Sequence, residues 1–476
     1  MKKHLKTFVS AVKDAQFVLS VRKVMGGKCF LSPFSIKTHK KDIMEKYKNI
    51  FVVPYENGYL LYNPFTDAVA FTETLRLDKK TEDKLTEEGV LLDKGIDGPS
   101  ISRFIIEKIR EGNSHTLQIT DAFSYQCNLK CVYCMQQNIH EAPQRMSPEQ
   151  RIDEWISLMQ LHNVDDLDVC LFGGEPLFNI RYLTDVLETA RKKIGQVSYS
   201  IVTNGTLIDD RVIQLINEYR ISRIQITLDG PEIVHNSRRV NHSINCYRTI
   251  ISNIHKLLEK TASRIIINSV IDTANFDQID QMTDMLSEEF NDYIFCDHPR
   301  IIFNYGMECH PFGKSEYTEE HIPELKKYYI DFLNLLEKEI RKGISVTEIM
   351  PTPTCIAKEE NDILIAPTGD IYKCISALGV PEFRICTFED LKKNQMMYFE
   401  HIASFSDRSF ASCMNCDFVL LCNGGCYYDA SVENVRQSCR KEIMEAQMPQ
   451  LIKLRYITKE IESGVFRIYD YNTSGR

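Results

Sequence analysis

No stretch of the 476 residues approaches the roughly 18 consecutive apolar side chains that a membrane-crossing helix requires, so no transmembrane span is expected. Basic charge is not in excess. Lys and Arg number 57 against 66 Asp and Glu, a formal charge of −9, and no concentrated basic patch of the kind that binds nucleic acid is expected. There is no low-complexity tract and no internal repeat, which sets aside disordered arrays and solenoids. The opening MKKHLKTFVSAVKDAQFVLSV is basic, yet Lys13 and Asp14 break the apolar run that a signal peptide needs. What is present is an ordinary globular composition, 43% apolar and 26% charged, with length enough for several domains.

One residue type stands out. Sixteen cysteines would suit a disulfide scaffold in a small secreted chain, but a chain this long can bury its own core. In a reducing compartment the same cysteines serve as metal ligands, nucleophiles or small buried hydrophobes, and their spacing decides. Cys127, Cys131 and Cys134 form C-x3-C-x2-C in ITDAFSYQCNLKCVYC. A second crowd, Cys413, Cys416, Cys422 and Cys426, lies in SCMNCDFVLLCNGGCYY, with Cys439 beyond it and Cys355 and Cys374 ahead of it.

Between the two crowds, β-rich runs alternate with segments of helical period. The expected strands are HTLQIT, LDVCLFG, YSIVTN, RIQITLD, RIIINSVI and RIIFNYG; PEQRIDEWISLMQLH, IRYLTDVLETARKK and NFDQIDQMTDMLSEEF are among the expected helices. Six strands with crossover helices predict an α/β fold built on a parallel sheet, whose functional groups gather at the C-terminal strand ends. The cysteine triplet follows the first strand, GGEP the second and TNG the third, and TLDG spans the end of the fourth. Ahead of this lies an α+β region in which KNIFVVPYENGYLLYNPFTDAVAFTE reads as a small sheet and SISRFIIEKIREG as a helix. The expected boundaries are 1–112 for this N-terminal unit, winged-helix-like in build, 113–310 for the sheet domain and 311–349 for a linking helix. A cysteine-rich domain follows at 350–440, then a C-terminal helix and tail at 441–476.

Three thiolates can hold three irons of a [4Fe–4S] cubane, leaving the fourth free to chelate a small molecule; a zinc site is the alternative for the same residue type. CNLKCVYC followed by FGGEP, TNGT and TLDGPEIVHNSRR resembles the radical S-adenosylmethionine (SAM) superfamily over about residues 115–310. The resemblance implies a partial (β/α)6 TIM-like barrel with Cys127, Cys131 and Cys134 on the catalytic cluster and SAM chelated by its open iron. Reductive cleavage of SAM then yields a 5′-deoxyadenosyl radical that abstracts hydrogen from substrate. It assigns Tyr133, Gly173, Gly174, Glu175, Thr203, Asn204, Thr227, Asp229 and Arg239 to the SAM pocket. Where the family often has HDxxR this chain has HNSRR, so Asn236 departs from the pattern and Arg239 fits the spacing better than Arg238. Glycines let backbones approach closely, Glu175 can accept hydrogen bonds from an ammonium group, and an arginine can pair with a carboxylate through two donors.

The downstream cysteines resemble the seven-cysteine SPASM domain, which implies two auxiliary [4Fe–4S] clusters. Cys413, Cys416, Cys422 and Cys439 fall to one, and Cys355, Cys374 and Cys426 to the other, with a zinc ribbon as the alternative. Three cubanes under an all-cysteine rule need one more thiolate than the ten these motifs supply. Cys309 and Cys386 flank the region as candidate completers, and an open or exchangeable iron is the competing expectation. Cys170 is expected in the core. Tyr305 and Asp297 are positional candidates near the sixth strand, more in keeping with packing and turn roles.

SPASM proteins modify peptides and proteins. The resemblance therefore implies a ribosomally made precursor peptide with a leader as substrate, a thioether or carbon–carbon crosslink as product, and a flavodoxin or ferredoxin as reductant. The N-terminal sheet would take the leader as an added strand. An anaerobic sulfatase-maturating enzyme is the alternative, and a non-catalytic iron–sulfur protein the reading from another class, although an electron carrier has no use for GGEP. Clusters of this kind imply a reducing cytoplasm.

Overall fold

The computed structural model describes residues 50–92, 98–111, 115–136, 139, 145–307, 321–347, 355–407, 413–422, 424–432 and 439–462. Strands β1 (Phe51–Tyr55), β2 (Gly58–Asn63) and β3 (Ala68–Thr72) form an antiparallel three-stranded sheet. Helices α1 (Lys79–Glu87) and α2 (Gly98–Glu111) follow. Then come β4 (Thr116–Ala122), β5 (Lys130–Cys131), β6 (Asp166–Phe172), β7 (Ser198–Thr203), β8 (Arg223–Thr227), β9 (Arg239–Val240), β10 (Arg264–Ile271) and β11 (Ile301–Met307). Six of these, β4, β6, β7, β8, β10 and β11, lie parallel and side by side in chain order, as the sequence pattern predicts.

The crossovers are α3 (Pro148–His162), α4 (Ile180–Lys193), α5 (Asp210–Glu218), α6 (Glu232–Arg238) with α7 (Cys246–Lys260), and α8 (Phe276–Glu289). Their ends are written in the sequence. Ser147 caps α3 in a reciprocal box with Gln150 ahead of Pro148, and Asn163 closes the helix in the left-handed region at φ 51°. Every second strand residue (Val169, Leu171, Ile201, Ile224, Ile226, Ile265, Ile267) is buried. These side chains form one core with apolar residues of the surrounding helices.

The alternate residues, among them Asp168, Cys170, Ser200, Gln225 and Asn268, stay partly exposed, because the sheet does not close into a barrel that would fill them in. This corrects the expected placing of Cys170. Its neighbours Val169 and Leu171 occupy the core, and Cys170 is on the opposite, half-open face of the strand.

The sheet continues where a domain boundary was expected. β12 (Asp362–Ile365) lies parallel to β4, and β13 (Asp370–Tyr372) and β14 (Cys386–Thr387) extend it antiparallel. A buried Arg151 fastens this extension. It pairs with Asp121 at the end of β4 and donates to the carbonyl of Pro367 at 3.0 Å, while the Trp155 indole donates to the same Asp121 at 2.8 Å. Helix α9 (Ile322–Arg341) packs along α10 (Lys441–Glu462). Helix α10 also holds the N-terminal sheet, through Arg455 paired with Asp67 and Tyr456 edge-on to Tyr55 at 5.6 Å. Phe51 of β1 meets Phe418, in the midst of the downstream cysteines, at 5.5 Å. Among the described residues no helix is long and apolar enough to cross a membrane.

Candidate functional site

The four loops at the C-terminal ends of β4, β6, β7 and β8 meet in one place, and they do so through backbone contact first. The segment after β4, Ser124 to Gln126, runs against GGEP. The Gly174 amide donates to Ser124 O at 2.6 Å and the Glu175 amide to Gln126 O at 2.9 Å. A Cβ on Gly174 would sit 2.5 Å from the carbonyl oxygens of both Tyr125 and Gln126, and one on Gly173, whose φ is +136°, would sit 2.5 Å from Ser124 O. These glycines therefore admit the segment that delivers Cys127.

Glu175 is buried and accepts three hydrogen bonds. Oε1 takes the Leu177 amide at 3.1 Å and the Thr203 hydroxyl at 2.7 Å, and Oε2 takes the Asn204 amide at 2.7 Å. Burial raises its carboxyl above the usual range, against the pull of those donors and of Arg239. Glu175 thus fixes the TNG turn. From that turn Asn204 Nδ2 reaches Asn128 Oδ1 at 2.8 Å and Cys127 Sγ at 3.8 Å, and Thr206 accepts from Asn128 at 2.8 Å. Asn128, Thr206 and Asn241, whose amide donates to Asn128 O at 3.0 Å, were not singled out from the sequence. The position of Asn128 inside the CNLKC loop was the available signal.

On the other side β5 pairs antiparallel with β9, Cys131 opposite Arg239. Tyr133 Oη donates to Asp229 Oδ2 and accepts from Arg239 Nη1 at 2.6 Å, and the other oxygen of Asp229 takes the Val270 amide at 3.0 Å. Arg238 lies over the Tyr133 ring at 4.9 Å but gives its hydrogen bonds to Asp272, at 2.7 Å, and to the carbonyl of Val270, whereas Cys131 acts on Arg239. Of the two arginines, Arg239 is therefore the one beside the cysteines, while its Nε is buried without a hydrogen-bond partner. Burial opposes the charge of Arg239, and Tyr133, Cys131 and Asp229 hold it on. Thr227, at the end of β8, is buried close by. His235, also missed from the sequence, accepts the Asp229 amide at 3.3 Å; burial and the two arginines depress its pKa to about 3.

Cys127, Cys131 and Cys134 pack together with Leu129, Tyr133 and Cys246. Burial pushes Cys131 up to about 11, Arg239 pulls it down, and Cys127 and Cys134 push it up again. Among the described residues no three His, Cys, Asp or Glu converge as ligands of a single metal ion would. A cubane asks for something else, since each cysteine holds a different iron. Three adjacent thiols, a neighbouring guanidinium with an unused donor and an amide hydrogen bond to Cys127 from Leu129, at 3.4 Å, suit that group.

Among the downstream cysteines, Cys374 lies within electrostatic reach of Cys355 and Cys426, and Cys422 within reach of Cys413 and Cys416. Cys374 is pushed up to about 12 by burial and then by Cys355 and Cys426. Cys422 is raised by burial and also by Cys413, and Cys416 by burial and also by Cys422. Cys439 is exposed. Cys386 belongs to neither set. It is buried in the main core, where Asp390, Glu154 and Asp370 act on it. Cys309 lies outside the described residues. None of the fourteen described cysteines is in a disulfide. Tyr305 stacks on Phe303 and shares a hydrogen bond with Thr283, and Asp297 is exposed before β11, at the opposite end of the strand from the site; both are structural.

Residues 122–286 match the Radical SAM superfamily. The radical SAM cyclopropyl synthase TigE of Paramaledivibacter caminithermalis is 24% identical over 338 residues, 64% of this chain and 66% of that protein, so this chain spans just under two thirds of its length. The cysteine-type anaerobic sulfatase-maturating enzyme of Clostridium perfringens is 24% identical over 367 residues, 69% of this chain and 95% of that enzyme. In fold, the chain is similar to native anSMEcpe with bound AdoMet (TM-score 0.53, 20% identity, 72% of this chain and 99% of that one). It is also similar to Streptococcus suis SuiB bound to S-adenosylmethionine (TM-score 0.51, 17% identity, 83% of this chain and 98% of that one). The cysteine triplet, the six parallel strands and these relatives agree in making residues 122–286 a domain of the Radical SAM superfamily.

Proposed function

We propose that the chain is a peptide maturase in which Cys127, Cys131 and Cys134 hold a [4Fe–4S] cluster and the surrounding loops hold SAM. The observation that carries this reading is the convergence of the cysteine loop, Glu175, Asn204 and the Tyr133–Asp229–Arg239 network on one end of an unclosed sheet. When bound, the cluster and SAM supply a 5′-deoxyadenosyl radical. The chain's own residues place that chemistry. Glu175 and Asn204 fix the loop that carries the thiols, and Arg239 supplies positive charge beside them. The partly exposed face bearing Gln225, Asn268 and Asn304 is where this reading puts an extended substrate.

The substrate in this reading is a ribosomally made peptide with a leader, and the product a thioether or carbon–carbon crosslink. Support comes from the relatives: TigE is named a cyclopropyl synthase, and SuiB is known in a structure with the precursor peptide SuiA. The three-stranded sheet β1–β3 offers an edge for a leader strand. Two auxiliary [4Fe–4S] clusters, one on Cys413, Cys416, Cys422 and Cys439 and one on Cys355, Cys374 and Cys426, a flavodoxin or ferredoxin as electron donor, and a reducing cytoplasm complete the proposal. Sulfatase maturation is the second reading, favoured by the match to 95% of the Clostridium perfringens enzyme. Co-expression with a precursor peptide encoded beside the gene, followed by mass spectrometry, tests the choice. Loss of two hydrogens with a new crosslink supports peptide maturation; an unchanged peptide, with conversion of a sulfatase cysteine to formylglycine, refutes it.

A further inference from the structure

Arg239 carries a buried positive charge for which the fold makes unusual provision. In the β5–β9 ladder it stands directly opposite Cys131. Residues so paired project from the same face of a ladder with their Cβ atoms about 5 Å apart, so the guanidinium and the thiol leave the chain as neighbours. Its Nη1 is tied to Tyr133 Oη at 2.6 Å, and that hydroxyl is in turn held by Asp229. Its Nε has no partner although it is buried, a cost that proteins avoid unless a ligand supplies the acceptor. Three carboxylates, Asp229, Asp272 and Glu175, and two arginines occupy the neighbourhood, but they are not equivalent. Asp272 and the Val270 carbonyl claim Arg238 and draw it toward the end of β10, while Glu175 spends its oxygens on the TNG turn. That leaves Arg239 as the cation nearest the thiols.

We propose that Arg239 is a positioning residue that compensates the charge of the catalytic cluster and raises its reduction potential, with Tyr133 and Asp229 holding the guanidinium in place. The proposal rests on the cluster reading of Cys127, Cys131 and Cys134. One-electron reduction of a [4Fe–4S] cluster adds a negative charge to a group already carrying three protein thiolates, and a fixed cation beside them favours the reduced state. Arg239 would then act before SAM arrives, which separates this role from that of a SAM-carboxylate ligand.

The experiment is a redox titration of the anaerobically reconstituted full-length protein, followed by electron paramagnetic resonance. The catalytic cluster is identified as the one whose reduced signal changes on adding SAM, and its potential is read without SAM. Arg239→Gln is expected to weaken reduction by tenfold or more, a shift of 59 mV or more toward negative potential for one electron. Arg239→Lys, which keeps the charge, shifts it less. Tyr133→Phe, which frees the guanidinium without removing it, gives an intermediate shift and serves as the readout if Arg239→Gln loses its iron. Unchanged potentials in Arg239→Gln and Tyr133→Phe, with weakened SAM binding alone, would overturn the proposal and return Arg239 to the SAM carboxylate. A wild-type protein with no SAM-responsive cluster would overturn the cluster reading beneath it as well.

Discussion

Replacing Glu175 by Gln keeps shape and volume but removes one acceptor oxygen. In the native site three donors converge on the carboxylate, the Leu177 amide and Thr203 hydroxyl on Oε1 and the Asn204 amide on Oε2. A carboxamide has one oxygen, so in either orientation its NH2 group faces a backbone or hydroxyl donor. The loss comprises at least one hydrogen bond to a charged acceptor, roughly 1.5–3 kcal/mol, and leaves a buried donor unmet, roughly 1–3 kcal/mol. A destabilisation of about 3 kcal/mol is therefore expected, measured by denaturant unfolding of the metal-free protein, with no SAM present. Because Asn204 reaches the cysteine loop from the same turn, the variant should also take up less iron at the catalytic cluster. Three of the four lone-pair positions of the carboxylate are occupied by the protein, which leaves one for the SAM ammonium group. A variant within about 0.5 kcal/mol of wild type, with only its SAM affinity reduced, would refute the structural role argued for Glu175.

Other outcomes follow from the same site. Gly174→Ala places a methyl 2.5 Å from two backbone carbonyl oxygens and should cost about 1–3 kcal/mol or more. The segment it displaces leads into Cys127, so iron at the catalytic cluster should fall while the downstream sets keep theirs; full loading on iron analysis would count against this reading. His235, at about pKa 3 in the native state against about 6.5 when unfolded, binds a proton in the unfolded state first. Its contribution is intact above pH 6.5 and is lost as pH falls toward 3, at about 1.4 kcal/mol per pH unit. Denaturation curves at pH 7 and pH 5 should thus differ by about 2 kcal/mol more in wild type than in His235→Gln, and equal pH dependence would contradict the assignment. Cys386→Ala should leave iron per chain unchanged, since Cys386 faces Asp390 and Glu154 in the core; loss of one cluster's worth of iron would show it to be a ligand.

The parallel sheet was legible because its signals are local and repeat. The strands alternate core residues with partly exposed ones, and four of the crossover helices, α3, α4, α5 and α7, carry their own side-chain N-caps. The convergence of the motifs followed from topology alone, since parallel strands must bring their C-terminal loops together. The partners inside that convergence were less legible. The spacing in TLDGPEIVHNSRR favours Arg239 over Arg238, but not its place opposite Cys131. That depends on the two-residue ladder between β5 and β9, which pairs positions 108 residues apart. The glycines of GGEP were read as room for a ligand, whereas the first backbone they admit is the chain's own. The extension of the sheet by β12 to β14 was missed because those strands are two to four residues long, too short for a period to show. Cys386 falls between Cys374 and Cys413 of the SPASM pattern in sequence, yet it is buried in the core.

The account stands on three thiols at the end of β4 and the loop geometry that gathers them. Its most direct test is anaerobic reconstitution with iron and sulfide, addition of SAM and dithionite, and measurement of 5′-deoxyadenosine in the wild-type protein and in a Cys127→Ala, Cys131→Ala, Cys134→Ala variant. Steady formation by the wild type, and none by the variant with its downstream clusters still loaded, is the expected result. A fully loaded wild type that releases no 5′-deoxyadenosine, with or without peptide, or a variant that releases as much, would contradict it.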